Sequence, residues 1–199
     1  MATTAAPYGA RPVGTLSASG SFTSKTRLID IASGYATAIF NGDFVKLVAD
    51  GTVEKDTGTT TLTTCGIFLG CQYTDPSTKQ LTFNTQWPAS TVASDAKAFV
   101  LDDPNVLIQM QADGTLALTS RGLNIGVVQT AGSTDIGKSK NAADQSSAAT
   151  TVTLPLRIID FVDGPESAVG DTYTDIIVKF NAASSNSASP HQYLNATGA

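Results

Sequence analysis

The sequence predicts a mostly-β fold, a β-barrel or β-sandwich with extended terminal arms. Short β-prone runs alternate with Gly and Asp-Gly turn signals along most of the chain. The polar remainder is dominated by Thr, Ser, Gly and Asn, which suit solvated strand faces and turns and form helices poorly. No window of about a dozen residues carries a capped helical period.

Residues 1–21 are rich in Ala, Thr, Gly, Ser and Pro without a period and read as a flexible N-terminal arm. Residues 22–180 form the β domain, and 181–199 a C-terminal arm that finishes on His191-Gln192-Tyr193-Leu194. Within the domain, Asp43 to Ala49 leads into Asp50-Gly51 and then Thr52 to Lys55, a strong hairpin signal because type I′ turns need positive φ. Val106 to Ala112 leads into Asp113-Gly114 and then Thr115 to Leu118, predicting a second hairpin. Ala-Asp-Gly-Thr thus occurs at 49–52 and again at 112–115, and a Gly-flanked apolar run follows each, Gly66 to Gly70 and Leu123 to Val128. Two related β units would produce this, and so would chance in a turn-rich chain.

Further strands are predicted at Phe99–Leu101, Thr151–Leu154, Arg157–Val162 and Asp175–Phe180. The last two have near-continuous apolar centres that suit strands buried on both faces. Residues 141–150 read as a loop in preference to a short surface helix.

Charged residues make up 15 % of the 199-residue chain and hydrophobic ones 41 %, enough for a core and against wholesale disorder. The net charge of −5 comes with no basic stripe, which argues against a nucleic-acid binder. No apolar run has the length of a membrane span, and the start carries no secretory pattern, so synthesis in a cytosol is expected. Cys65 and Cys71 lie six residues apart. On one strand that separates their Cα atoms by about 20 Å, too far for a disulfide, and two buried free thiols are expected.

Gly132-Ser133-Thr134-Asp135-Ile136-Gly137-Lys138-Ser139 matches the phosphate-binding string G-x-x-x-x-G-K-[ST]. In a genuine nucleotide site the glycine amides would cradle phosphates, Lys138 would reach their oxygens and Ser139 would bind magnesium. That loop must open a helix, and Lys140 to Ser147 offers no apolar face to pack on a sheet. Gly132, Gly137, Lys138 and Ser139 are therefore read as a solvated loop, with no nucleotide, metal or other cofactor. His191 lies in a polar tail with nothing to orient it as a base, and no Gly-x-Ser-x-Gly elbow frames a nucleophile. Asp102-Asp103-Pro104 and Asp163-Gly164-Pro165 read as turns in preference to cation sites. Trp87 either plugs the end of the fold or anchors a partner.

The succession Asn41-Gly42-Asp43-Phe44-Val45-Lys46-Leu47, Asp50-Gly51-Thr52-Val53 and Gly66-Ile67-Phe68-Leu69-Gly70-Cys71 resembles capsid decoration, or cement, proteins of tailed bacteriophages. The Ser/Thr/Gly-rich ends resemble structural proteins of marine phages that infect cyanobacteria and related bacteria. The resemblance is best over 41–71 and looser over 40–180, and it carries no catalytic residue. It implies a homotrimer on the capsid exterior of a virion, bound to the major capsid protein and stabilising its lattice. Tyr8, Arg11, Trp87, His191, Tyr193 and Leu194 are the expected partner contacts. A head fibre or tail component is the alternative, and a small P-loop enzyme a remote one.

Overall fold

The computed structural model describes residues 4–16, 25–182 and 188–195. Among the described residues fourteen strands follow one another: β1 (Arg11–Thr15), β2 (Arg27–Asp30), β3 (Ile39–Phe40), β4 (Phe44–Leu47), β5 (Val53–Lys55), β6 (Gly66–Thr74), β7 (Leu81–Asn84), β8 (Gln86–Trp87), β9 (Lys97–Leu101), β10 (Val106–Gln111), β11 (Asn124–Val128), β12 (Ala142–Ala149), β13 (Leu156–Phe161) and β14 (Asp175–Phe180). The only helical pieces among the described residues are two short 3₁₀ turns, Leu118–Ser120 and Gln192–Leu194. The fold is mostly β, as the turn-rich sequence predicts.

One antiparallel sheet runs β1-β10-β14-β13-β11-β12, and a second runs β2-β9-β6-β4-β5 with β7 added on β6. A two-stranded ribbon, β3-β8, is laddered to neither sheet and packs Ile39 and Trp87 against the second. Neither sheet closes on itself, so of the two architectures expected the chain adopts the layered one.

Period-2 alternation sets the layers. In β10, Val106, Ile108 and Met110 are buried, and in β14, Ile176, Val178 and Phe180. They share one core with Phe44, Ile67 and Leu101 of the second sheet. The neighbours of those three residues, Val45, Phe68 and Val100, point the other way into a separate core with Ile39, Tyr73 and Trp87. The second sheet is thus a middle layer buried on both faces where the cores overlie it. That explains why Gly66–Cys71 is continuously apolar instead of alternating.

The Asp50-Gly51 turn joins β4 to β5, with Gly51 at φ +83°. The second Asp-Gly makes no hairpin. The Asp113 amide donates to Ala143 O at 3.0 Å, and the Asp113 carboxylate accepts from the Gln145 amide at 2.7 Å. Asp113-Gly114 therefore fastens β10 to β12, and β10 pairs with β1 and β14. The two units differ in their pairing, so the repeat of Ala-Asp-Gly-Thr is not a repeat of structure.

Three other stretches depart from the sequence reading. Residues 142–149 form β12, held by β11, where a loop was expected. Thr151–Leu154 is a turn. Arg11–Thr15, expected in an arm, is an edge strand on β10 with a bulge between Pro12 and Gly14. Pro12 lacks an amide donor, and an edge position tolerates that.

At the other end, residues 188–195 lie against the body. Thr64 donates its amide to Pro190 O, and the Gln192 amide donates to Thr64 O, both at 2.8 Å. The Gln192 side chain bonds both main-chain groups of Leu47, accepting from N at 2.7 Å and donating to O at 2.9 Å. The remaining parts of the expected arms, 1–3, 17–21, 183–187 and 196–199, lie outside the described residues.

Cys65 immediately precedes β6 and Cys71 lies within it. Both are free and buried, as expected. Burial pushes each thiol up to about 12.

Candidate functional site: an apolar sheet face left open

The Gly132–Ser139 string is a tight turn, closed by a bridge between Ser133 and Lys138. Gly137 sits at φ +67° and Gly132 lies flat against Phe40, where a Cβ would meet the ring. The segment lies beside Asn41: the Asn41 amide donates to Gly137 O at 3.0 Å and the Ser139 amide to Asn41 O at 2.9 Å. A strand, β12, follows it where a phosphate-binding loop would open a helix.

Lys138 is exposed, but Ser139 is not solvated as the loop reading expected. It is 1 % exposed, and its hydroxyl donates to Asp43 Oδ1 at 2.7 Å. Asp43 is itself fully buried; it pairs with Lys55 Nζ at 2.9 Å and accepts from the Phe40 amide and from Asn141 Nδ2. The glycines and Ser139 of this string therefore serve the fold.

The expected partner contacts divide. Trp87 is fully buried, edge-on to Tyr73 at 5.5 Å, and its indole N–H donates to Tyr35 O at 3.2 Å. It plugs the second core and is closed to a partner. His191 is also fully buried, between Phe180 and Tyr193, with neither ring nitrogen hydrogen-bonded. Burial holds its pKa down at about 4 despite the Asp103 charge nearby. Trp87 thus takes the first of its two expected roles, whereas His191 was expected in a polar tail, because the sequence does not show which aromatic partners close over it.

Tyr8 is half-buried, its hydroxyl beside Asp175 and Gln109 without a well-formed hydrogen bond. Burial, reinforced by Asp175, raises its pKa. Arg11 is exposed on β1. Tyr193 and Leu194 are exposed on the C-terminal segment, where the Arg27 guanidinium lies 5.6 Å from the Tyr193 ring centroid and pairs with Asp102.

The Asp103 turn forms as expected, the Asn105 amide donating to the Asp103 carboxylate at 2.8 Å. No helix of the described residues is long and apolar enough to cross a membrane.

A surface that sequence reading missed lies on the middle sheet. The face that buries Ile67 and Leu101 continues past the first sheet and emerges into solvent. Leu28 stands opposite Phe99 in the β2–β9 register, and Phe99 stacks on Phe83 with centroids 6.4 Å apart and planes at 23°. Leu81 lies two residues from Phe83 on the same side of β7. Phe83 is 66 % exposed, Leu81 57 % and Leu28 49 %.

Gly70 makes this continuity possible. It stands opposite Phe99 on β6 and leaves room for that ring to reach diagonally to Phe83, whose own partner on β6 is Gln72. Its φ of +151° and a main-chain oxygen 2.9 Å from any added Cβ keep the position for glycine. A Lys97–Asp30 ion pair at 2.6 Å borders the stripe. Four neighbouring apolar side chains across β2, β9 and β7 line this face, and the largest apolar patch on a monomer, typically about 300–600 Å², is often functional.

The only sequence signal was the spacing of Leu81 and Phe83 and of Leu28 across from Phe99. Spacing shows that side chains share a face and does not show whether anything covers it. No protein-family model, curated protein or solved structure matches this chain.

Proposed function

We propose that this chain is a structural component of a virus particle, a decoration protein on the exterior of a phage capsid, and that it is not an enzyme. The observation that carries the reading is the open Leu28–Phe99–Phe83–Leu81 face. Four side chains fall short of the roughly 800 Å² per partner that a stable pairwise complex buries. They suffice when several copies engage a repeated surface together, because linked contacts raise the effective concentration of one another. A homotrimer on a lattice of major capsid protein has that arithmetic. Phe83, together with Arg27 and Tyr193 at the end of the sandwich, supplies aromatic and arginine side chains, the types enriched at protein interfaces.

A head fibre or tail component would use such a face equally well, and copy number separates the two. Quantitative mass spectrometry of purified particles is expected to find this chain at hundreds of copies, commensurate with the capsid lattice. A few copies per particle would favour the fibre or tail reading, and absence from particles would overturn both.

A further inference from the structure

The buried group around Asp43 goes beyond the proposed surface and does not depend on it. Asp43 is fully buried and the Lys55 side chain is 9 % exposed. Asp43 Oδ2 holds Lys55 Nζ at 2.9 Å, while Oδ1 holds Asn141 Nδ2 at 3.2 Å. One carboxylate therefore brackets an amine and a carboxamide. The carboxamide is oriented at both ends, since Asn141 Oδ1 accepts from the Thr130 amide at 3.1 Å. The Phe40 ring, 5.9 Å from Nζ, shields the amine from water.

The three residues come from different parts of the fold. Lys55 ends β5 in the middle sheet, Asp43 precedes β4, and Asn141 immediately precedes β12 in the first sheet. Removing a lysine and a carboxylate from water is costly as a charged pair, and proton transfer from one to the other relieves that cost. Transfer of a proton from the amine to the carboxyl would put a nucleophile beside a general acid.

We propose that Lys55 and Asn141 form an intramolecular amide cross-link, with Asp43 as the proton-transfer group. Lys55 Nζ, having given its proton to Asp43, attacks Asn141 Cγ and forms the new C–N bond. The Thr130 amide N–H stabilises the oxygen that becomes negative on attack. Asp43 moves one proton from Nζ to Nδ2, the Cγ–Nδ2 bond breaks, and Nδ2 leaves as ammonia. No oxidant or cofactor enters the balance. The product ties the middle sheet to the first sheet covalently, a bond suited to a protein under mechanical load.

The test is the intact mass of the purified full-length chain under denaturing, reducing conditions. The cross-link lowers the mass by about 17 Da, the mass of ammonia lost on attack by the amine. Digestion should give a branched peptide joining residues 55 and 141. Lys55→Arg, which keeps the charge beside Asp43, and Asn141→Ala should each return to the mass their sequences require.

Because the wild-type mass alone decides, poor folding of a variant does not blur the outcome. A wild-type chain at its full sequence mass would overturn the proposal and leave a buried ion pair. A deficit of about 18 Da mapped to Lys55 and Asp43 would overturn the assignment of Asn141, because a carboxyl loses water on condensing with an amine.

Discussion

The His191 imidazole meets the Phe180 ring edge-on, its centroid 5.1 Å away, and no hydrogen bond reaches either nitrogen. A neutral imidazole tolerates that apolar slot, and an imidazolium does not.

The consequence for stability follows from the direction of the shift. The folded pKa is about 4 against an ordinary value of 6.5, so His191 binds its proton more readily when unfolded. Its favourable contribution is fully present above pH 6.5 and is lost as the pH falls toward 4. Asp103 opposes the shift without reversing it. Between pH 7 and 4.5 the loss should be on the order of 2 kcal/mol, and His191→Phe should remove that part of the acid sensitivity. Urea melts of both chains at the two pH values check it. Equal acid sensitivity in the two would contradict the buried placement.

Lys138 and Ser139 are adjacent in sequence and should respond oppositely to alanine. Lys138 is exposed, so Lys138→Ala should change stability by less than about 0.5 kcal/mol. Ser139→Ala leaves an Asp43 oxygen without its shortest donor and should cost about 1–3 kcal/mol. Thermal or denaturant melts decide, and equal effects would mean the loop does not dock as described.

Deleting residues 1–15 should destabilise the protein. It removes β1 from the β10 edge and Ala10, which is 2 % exposed, from the core. Gly9 and Ala10 also donate their amides to Asn141 O and Gly42 O. For a chain of this size each lost kcal/mol lowers the melting temperature by roughly 2–4 °C, so a drop of several degrees is expected. The uncovered edge of β10 should also promote self-association. An unchanged melting temperature would restore residues 1–15 to the status of a free arm.

Both cysteines should resist a thiol reagent in the folded protein and react together on unfolding, because the thiolate is the reactive form and burial disfavours it. Counting titratable thiols before and after denaturant checks this. Fast native reaction of either thiol would contradict its burial.

What the sequence made legible follows from how local each cause is. Asp175–Phe180 reads as a strand because its alternation is complete, and Asp50-Gly51 reads as a turn because the constraint sits in two residues. The edge strand β1 contains Pro12 and Gly14, and β12 is Ala-Ala-Asp-Gln-Ser-Ser-Ala-Ala, so neither has strand propensity of its own. Both exist because a neighbouring strand supplies the hydrogen bonds. Asp113-Gly114 failed as a hairpin for the same reason, since Ala143 captured the Asp113 amide. The burial of His191 and the exposure of Phe83 depend on which layers overlap, and no local pattern encodes that.

On the proposed function, the open face of the middle sheet attaches this chain to a particle. The most direct measurement is occupancy on purified particles stripped of the chain, comparing wild type with a Leu28→Ser, Phe83→Ser double variant. Both side chains are about half or more exposed, so the variant should keep the wild-type melting temperature within a few degrees. Its occupancy should fall at least tenfold while its fold is retained. Wild-type occupancy by a folded double variant would contradict the claim.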